Sequence, residues 1–111
     1  MTKLESTCNP NNLPEKLNHW EFQALPKGEP DCRSRLYRKY SFRSFENVMD
    51  FMQRASRLYI CAQNHHPCWQ NTYVTLEIWL TTHDASNTVT EKDIQLAKDF
   101  ETLWLADYSD R

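Results

Sequence analysis

The chain has 111 residues, 40% of them hydrophobic and 13% aromatic, which predicts one globular domain and excludes a disordered chain. Its formal charge of −2 excludes a uniformly basic nucleic-acid binder, and its single glycine, Gly28, excludes a Gly-rich phosphate loop. No apolar run approaches the length of a membrane span.

Residues 1–12 are polar and carry Asn-Pro-Asn-Asn, so a loose N-terminal tail is expected before a single domain at 13–106. That tail lacks the apolar stretch of a signal peptide. "LPEKLNHW", residues 13–20, predicts a short helix starting near Pro14, because proline suits the first helical turn. "EFQ" at 21–23 is a candidate strand. "LPKGEPD", residues 25–31, is punctuated by Pro26, Gly28 and Pro30 and reads as a loop.

In "RLYRKYSF", residues 35–42, Leu36, Arg38, Tyr40 and Phe42 alternate with Arg35, Tyr37, Lys39 and Ser41, which predicts a strand. The stretch 33–43 holds four Arg and one Lys. It reads as the wet face of that strand, or as a basic surface for an acidic partner or ligand. Ser44 is then placed to cap a helix whose apolar stripe is Phe45, Val48, Met52, Ala55, Tyr59 and Ala62. Pro67 disfavours helical geometry at His66, so the helix should stop near Asn64.

"YVTLEIWL", residues 73–80, is the clearest strand, with Val74, Leu76, Ile78 and Leu80 on one face. A polar loop follows at 82–87. Thr90 to Asp93 then resembles a capping box, opening a helix with a stripe of Ile94, Ala97, Phe100, Leu103 and Trp104. Residues 107–111 are expected to fray as an acidic tail. Two long amphipathic helices can cover one face of an antiparallel sheet. The expected fold is therefore α+β, a two-layer domain with a four-stranded antiparallel sheet and helices on one face.

The cysteines, Cys8, Cys32, Cys61 and Cys68, form no C-x-x-C pair. They predict reduced thiols in a soluble cytoplasmic protein, with the nucleus as the alternative compartment. Three of the four histidines, His65, His66 and His83, fall at the ends of predicted elements, where functional groups concentrate. A metal site could draw on these three and Cys68, but no H-x-x-x-H or C-x-x-C spacing supports it. An acid–base site asks less, because imidazole titrates at about 6.5 and needs no full burial. A pair of loop histidines that merely cap backbone groups is the third reading.

An ordered set of short motifs bears on this choice. "FENVMDFM" starts at Phe45, "NHHPCWQNTY" at Asn64, "LTTHDA" at Leu80 and "TEKDIQLA" at Thr90. Together, from Leu36 to Leu96, they resemble the pterin-4a-carbinolamine dehydratase family. The resemblance implies a hydro-lyase that removes water from 4a-hydroxytetrahydropterin to give quinonoid dihydropterin, in recycling of the tetrahydrobiopterin cofactor. It implies His65 and His83 as an acid–base pair, with His66 holding the pterin. Asn64, Trp69, Thr81, Thr82 and Asp84 would line the substrate pocket. Tyr73 would pack the site, and Asp93 would cap the last helix or orient a histidine. No metal and no organic cofactor is implied.

Cys61 stands where the family usually has a Glu, and Ser86-Asn87 stands where it has Gly-Gly. Asn tolerates a left-handed backbone, so the turn can form. The resemblance further implies a homo-oligomer, a tetramer or else a dimer, with no nucleic-acid or membrane partner. A protein-binding scaffold of the same fold is the competing function. One geometric difficulty stands out. A straight strand from Tyr73 to His83 would span about 33 Å and separate the histidines. A turn near Gln70-Asn71-Thr72 would bring them together.

Overall fold

The computed structural model describes residues 13–24 and 34–109. The expected tail at 1–12, the expected loop at 25–31, Cys8 and Cys32 lie outside the described residues. So does most of the connection between Trp20 and Leu36.

Alternating side chains build one antiparallel sheet. Its strands are β1 (Glu21–Ala24), β2 (Ser34–Ser41), β3 (Cys68–Thr72) and β4 (Thr75–Leu80), in the order β1-β2-β4-β3. Leu36 and Tyr40 on β2 and Leu76, Ile78 and Leu80 on β4 are fully buried on the helix side. The opposite face is half-exposed. There Tyr37 pairs with Trp79, ring centroids 5.4 Å apart, and the Tyr37 hydroxyl donates to Glu77 Oε2 at 2.6 Å. The two-layer α+β expectation holds.

The chain does fold back before β4, but later than Gln70-Asn71-Thr72. Residues 73 and 74 are not the start of a strand: they form the turn of the β3–β4 hairpin, with Thr72 paired to Thr75. Tyr73 takes a left-handed φ of 52°. Asn71 builds this turn from within β3, donating Nδ2–H to the carbonyls of Tyr73 and Thr75 at 3.1 and 2.9 Å. A side-chain amide here does what glycine does elsewhere.

Ser44 caps α1 (Phe45–Ala55) as its sequence predicts, its hydroxyl accepting from the Asn47 N–H at 3.1 Å. The stripe differs from the expected one. Val48, Phe51, Ala55 and Ile60 are buried, whereas Phe45 and Ala62 are exposed and Met52 and Tyr59 are half-buried. Within α1 the inward stripe runs through Val48, Phe51 and Ala55, and beyond it a π-helical segment, Ser56–Ile60, separates α1 from the single turn α2 (Cys61–Gln63). Its wider turn moves the inward position on by one residue. Asn64 then ends the helix in the left-handed region, φ 52° and ψ 42°.

The last helix, α3 (Glu91–Asp107), opens on the complete Thr90–Asp93 capping box. Its Phe100 and Leu103 are buried in the domain's own core, and Trp104 stacks on it, 4.7 Å from Tyr40 and 5.0 Å from Phe42. The folded unit does not end at 106. Tyr108 is buried and meets Phe51 and Phe42 edge-on at 5.4 and 5.7 Å, so the expected tail does not begin at 107. At the other end, the helix expected over 13–20 is one 3₁₀ turn, Glu15–Leu17, with Pro14 as its N-cap.

The basic strand is only partly a wet face. Arg38 turns inward, donates to the buried Glu101 at 2.8 Å and lies 4.1 Å over the Tyr40 ring. Glu101 Oε1 also accepts from Trp20 Nε1–H at 3.0 Å and from the Tyr40 hydroxyl at 2.6 Å. Burial and this neighbouring carboxylate hold the Tyr40 hydroxyl well above the usual tyrosine range.

Candidate active site

Two chain segments converge at the end of β4. One is Asn64-His65-His66, where the left-handed Asn64 breaks the helix and swings the histidines away from its axis. The other is the loop after β4, Thr81 to Thr88. It begins with a 3₁₀ turn, His83–Ala85, and reverses through Ser86 and Asn87 at φ 59° and 58°. A Thr82–Thr88 bridge closes it, with the Thr82 N–H donating to the Thr88 carbonyl at 3.0 Å. Ser86-Asn87 thus supports the left-handed turn without glycine.

Asn64, His65, His66, Thr81, Thr82, His83 and Asp84 line one cavity of about 230 Å³, together with Lys92. The hairpin is what unites the histidines, because it shortens the path from His66 to His83 to two antiparallel strands lying side by side.

Asp93 organises the floor. Its carboxylate is fully buried, and Oδ1 lies 2.6 Å from His65 Nε2. Oδ2 accepts from the Thr82 hydroxyl at 2.7 Å and from the Thr90 N–H at 2.9 Å. One carboxylate thus caps the helix and meets a histidine. Its acceptor oxygen makes His65 Nε2 the donor, which leaves Nδ1 with its lone pair. Among the described residues, Nδ1 has no partner. His83 is oriented in the opposite sense: its Nδ1–H faces Asn87 Oδ1 at 3.1 Å, which leaves Nε2 as the open nitrogen. The two imidazoles at one cavity are thereby anchored through different ring nitrogens, His65 through Nε2 and His83 through Nδ1.

Other expected site residues sit elsewhere or do other work. Trp69 does not line this cavity. Strand alternation turns it to the helix side, stacked on Phe100 at 6.3 Å and walling a separate hollow with Met49 and Met52. Tyr73 does not pack the site either; it is 72% exposed at the hairpin turn. Thr82 lines the cavity, but its hydroxyl is committed to Asp93 and Thr90 and is buried. Thr81 donates to the Ser34 carbonyl at 2.8 Å. Cys61 is exposed and lines none of these cavities. Among the described residues, no group of three or more His, Cys, Asp or Glu side chains converges to ligate a metal. Lys92 was missed. Its place just inside the capping box, beside Asp93, is the signal that could have found it.

Residues 2–103 match the family model described as pterin 4 alpha carbinolamine dehydratase. A relative from Prochlorococcus marinus strain MIT 9313 is 44% identical over 93 residues, covering 84% of this chain and 85% of its own. One from Synechococcus sp. strain WH7803 is 33% identical over 93% of this chain and 99% of its own. Both bear the name pterin-4-alpha-carbinolamine dehydratase, with the assignment marked as provisional. A crystal structure titled transcriptional coactivator/pterin dehydratase from Brucella melitensis superposes with a TM-score of 0.68 at 29% identity, covering 88% of this chain and 98% of that one.

Proposed function

Because the chain belongs to the pterin-4a-carbinolamine dehydratase family, we propose that it removes water from a 4a-hydroxytetrahydropterin by histidine acid–base catalysis. The observation that carries the reading is the pair of oppositely oriented imidazoles, His65 on Asp93 and His83 on Asn87, at one cavity with His66.

Elimination needs a proton delivered to the departing 4a-hydroxyl and a proton taken from N5. The C4a–O bond breaks, the N5 lone pair closes the C4a–N5 double bond, and water leaves. His65 Nδ1 takes the N5 proton, and Asp93 faces the positive charge that forms on the ring. His83, exposed to solvent, carries a proton on Nε2 to the hydroxyl. A proton shift between the two histidines through solvent resets the site. His66, Asn64, Asp84 and Lys92 contact the ring, while Thr81 and Thr82 hold the walls. A side chain that moves a proton in the transition state contributes about 10²–10⁴-fold. The test is dehydration of 4a-hydroxytetrahydropterin followed directly. A rate no higher than the spontaneous one sinks the reading.

A second reading has its own observations. Phe45, Met49 and Leu58 are exposed on the outer side of the long helix, and the Brucella relative carries a coactivator title. This face, rather than the buried Phe100–Trp104 stripe, would hold a protein partner or the copies of a homotetramer or dimer. Mass measurement in solution, with and without substitution of Met49 by Lys, tests it. A monomer with an unchanged mass removes the oligomer.

A further inference from the structure

A second lobe borders the histidine cavity on the half-exposed face of the sheet. This lobe measures about 330 Å³; it shares His66, Thr81 and His83 with the first and adds Arg35, Cys68 and Trp79. The two lobes differ in charge. Asp84 lines the first, whereas no carboxylate lines the second among the described residues.

Arg35 is what distinguishes this lobe. Its Nε–H donates to Gln23 Oε1 at 2.6 Å, which fixes the guanidinium plane, and its Cζ lies 6.0 Å from the Trp79 ring centre. Three residues along β2, Arg38 faces the other way and is neutralised by Glu101. Arg35 has no carboxylate partner among the described residues. A planar fork held flat, with its Nη groups uncommitted to any carboxylate, is built for bidentate contact with a carboxylate or a phosphate. The Trp79 ring beside it offers an apolar surface for the atoms that lead there.

We propose that the second lobe receives the substituent that the pterin carries outside its ring, and that Arg35 selects substituents bearing a carboxylate or a phosphate. This rests on the reading of the histidine cavity as the seat of the ring. It also gives the basic strand the acidic ligand that its sequence left open.

The test is equilibrium binding of stable pterins to the full chain, read by tryptophan fluorescence quenching. The probes are 6-hydroxymethylpterin, pterin-6-carboxylate and the phosphate ester of 6-hydroxymethylpterin. At least one anionic probe should bind about tenfold more tightly than the neutral one. Comparing the two anionic probes shows whether carboxylate or phosphate is preferred. Arg35→Leu should bring the favoured anion to the affinity of the neutral probe. Arg35→Gln, which keeps the polar edge, is the second variant if Arg35→Leu loses its near-ultraviolet dichroism. Equal affinities in the parent, or a preference that survives both substitutions, would overturn the inference. The dehydration assay is run in parallel with a neutral carbinolamine. Turnover without anion preference removes the lobe's role and leaves the dehydratase standing. No turnover, with an anion preference lost on changing Arg35, removes the dehydratase and keeps the lobe. No binding of any probe removes the lobe's role, and the dehydration assay then decides the dehydratase on its own.

Discussion

His65 Nε2 and Asp93 Oδ1 stand 2.6 Å apart, and that contact makes the start of α3 part of the site. The same carboxylate that closes the helix's first turn fixes which nitrogen of His65 is open. On the proposed mechanism, a change at Asp93 therefore acts on stability and on chemistry together, through different oxygens.

Asp93→Asn separates the two. The amide can keep one acceptor for the helix cap but turns a donor toward His65, which reverses the imidazole tautomer. We expect kcat to fall on the order of 10²-fold with KM little changed. Asp93→Ala also strips acceptors from Thr82 and Thr90, and should lower unfolding free energy by about 2 kcal/mol or more. Steady-state kinetics and denaturant titration read these two effects; an Asn variant with parental kcat would remove Asp93 from the positioning role.

His65→Ala and His83→Ala should each lose most of the dehydration rate while keeping the parent's thermal unfolding within a few degrees. His83 is exposed at the cavity wall, and although His65 is only 11% exposed, Asp93 keeps its bonds to Thr82 and Thr90 when the imidazole is removed. If both variants dehydrate the pterin like the parent, the acid–base assignment is wrong.

Glu101→Ala should be the most damaging single change away from the site. It leaves Arg38, Tyr40 and Trp20 without the oxygen on which all three converge. Removing one member of such a buried charged group costs about 3–5 kcal/mol. Urea midpoints measure it, and a loss below 1 kcal/mol would show that solvent replaces the carboxylate easily.

Alkaline pH should destabilise the domain in a defined window. The Tyr37 hydroxyl is pushed up to about 12, chiefly by its hydrogen bond to Glu77. Tyr108 is pushed up to about 12, chiefly by burial and then by its bond to Asp50. Between the free tyrosine value near 10 and 12, the folded state keeps protons that the unfolded state has lost. Stability is thus whole below pH 10 and declines as pH rises through that interval. Tyr108→Phe should make the decline shallower; an unchanged slope would contradict its share.

Tyr73→Gly should stabilise. A tyrosine at φ 52° carries a left-handed penalty on the order of 1 kcal/mol that glycine avoids. The dehydration rate should not change, since Tyr73 is remote from the cavity lining. A rate loss would restore Tyr73 to the site.

Local chemistry made much of this legible in sequence. Ser44 and Thr90 announce their helices because capping is decided within four residues, and Leu76, Ile78 and Leu80 announce β4 because alternation is local. The three histidines stood out at the ends of predicted elements, and the resemblance supplied their separate roles and linked Asp93 to them. What stayed hidden depended on geometry between distant segments. Trp69 and Trp79 are both aromatics near the site in sequence, and only the pairing of β3 with β4 reveals which faces which way. Arg38 reads as a surface cation until Glu101, far along the chain, is brought against it. Tyr73 reads as strand because tyrosine favours strands, while Asn71 decides the turn.

The π-helical segment Ser56–Ile60 has a bearing on how this chain tolerates insertion and deletion. It holds one residue more per turn than the helix on either side needs. Deleting one residue there would let the stretch close as ordinary α-helix, and because a π turn takes about one residue more to complete the same rotation, the positions after it would keep their faces. Ile60 would stay in the core, and Asn64 would still release His65 toward Asp93. The segment is slack in the helix before the histidines: a one-residue gap aligned here keeps the imidazoles aimed, whereas a deletion elsewhere in the helix would rotate everything after it by about 100°.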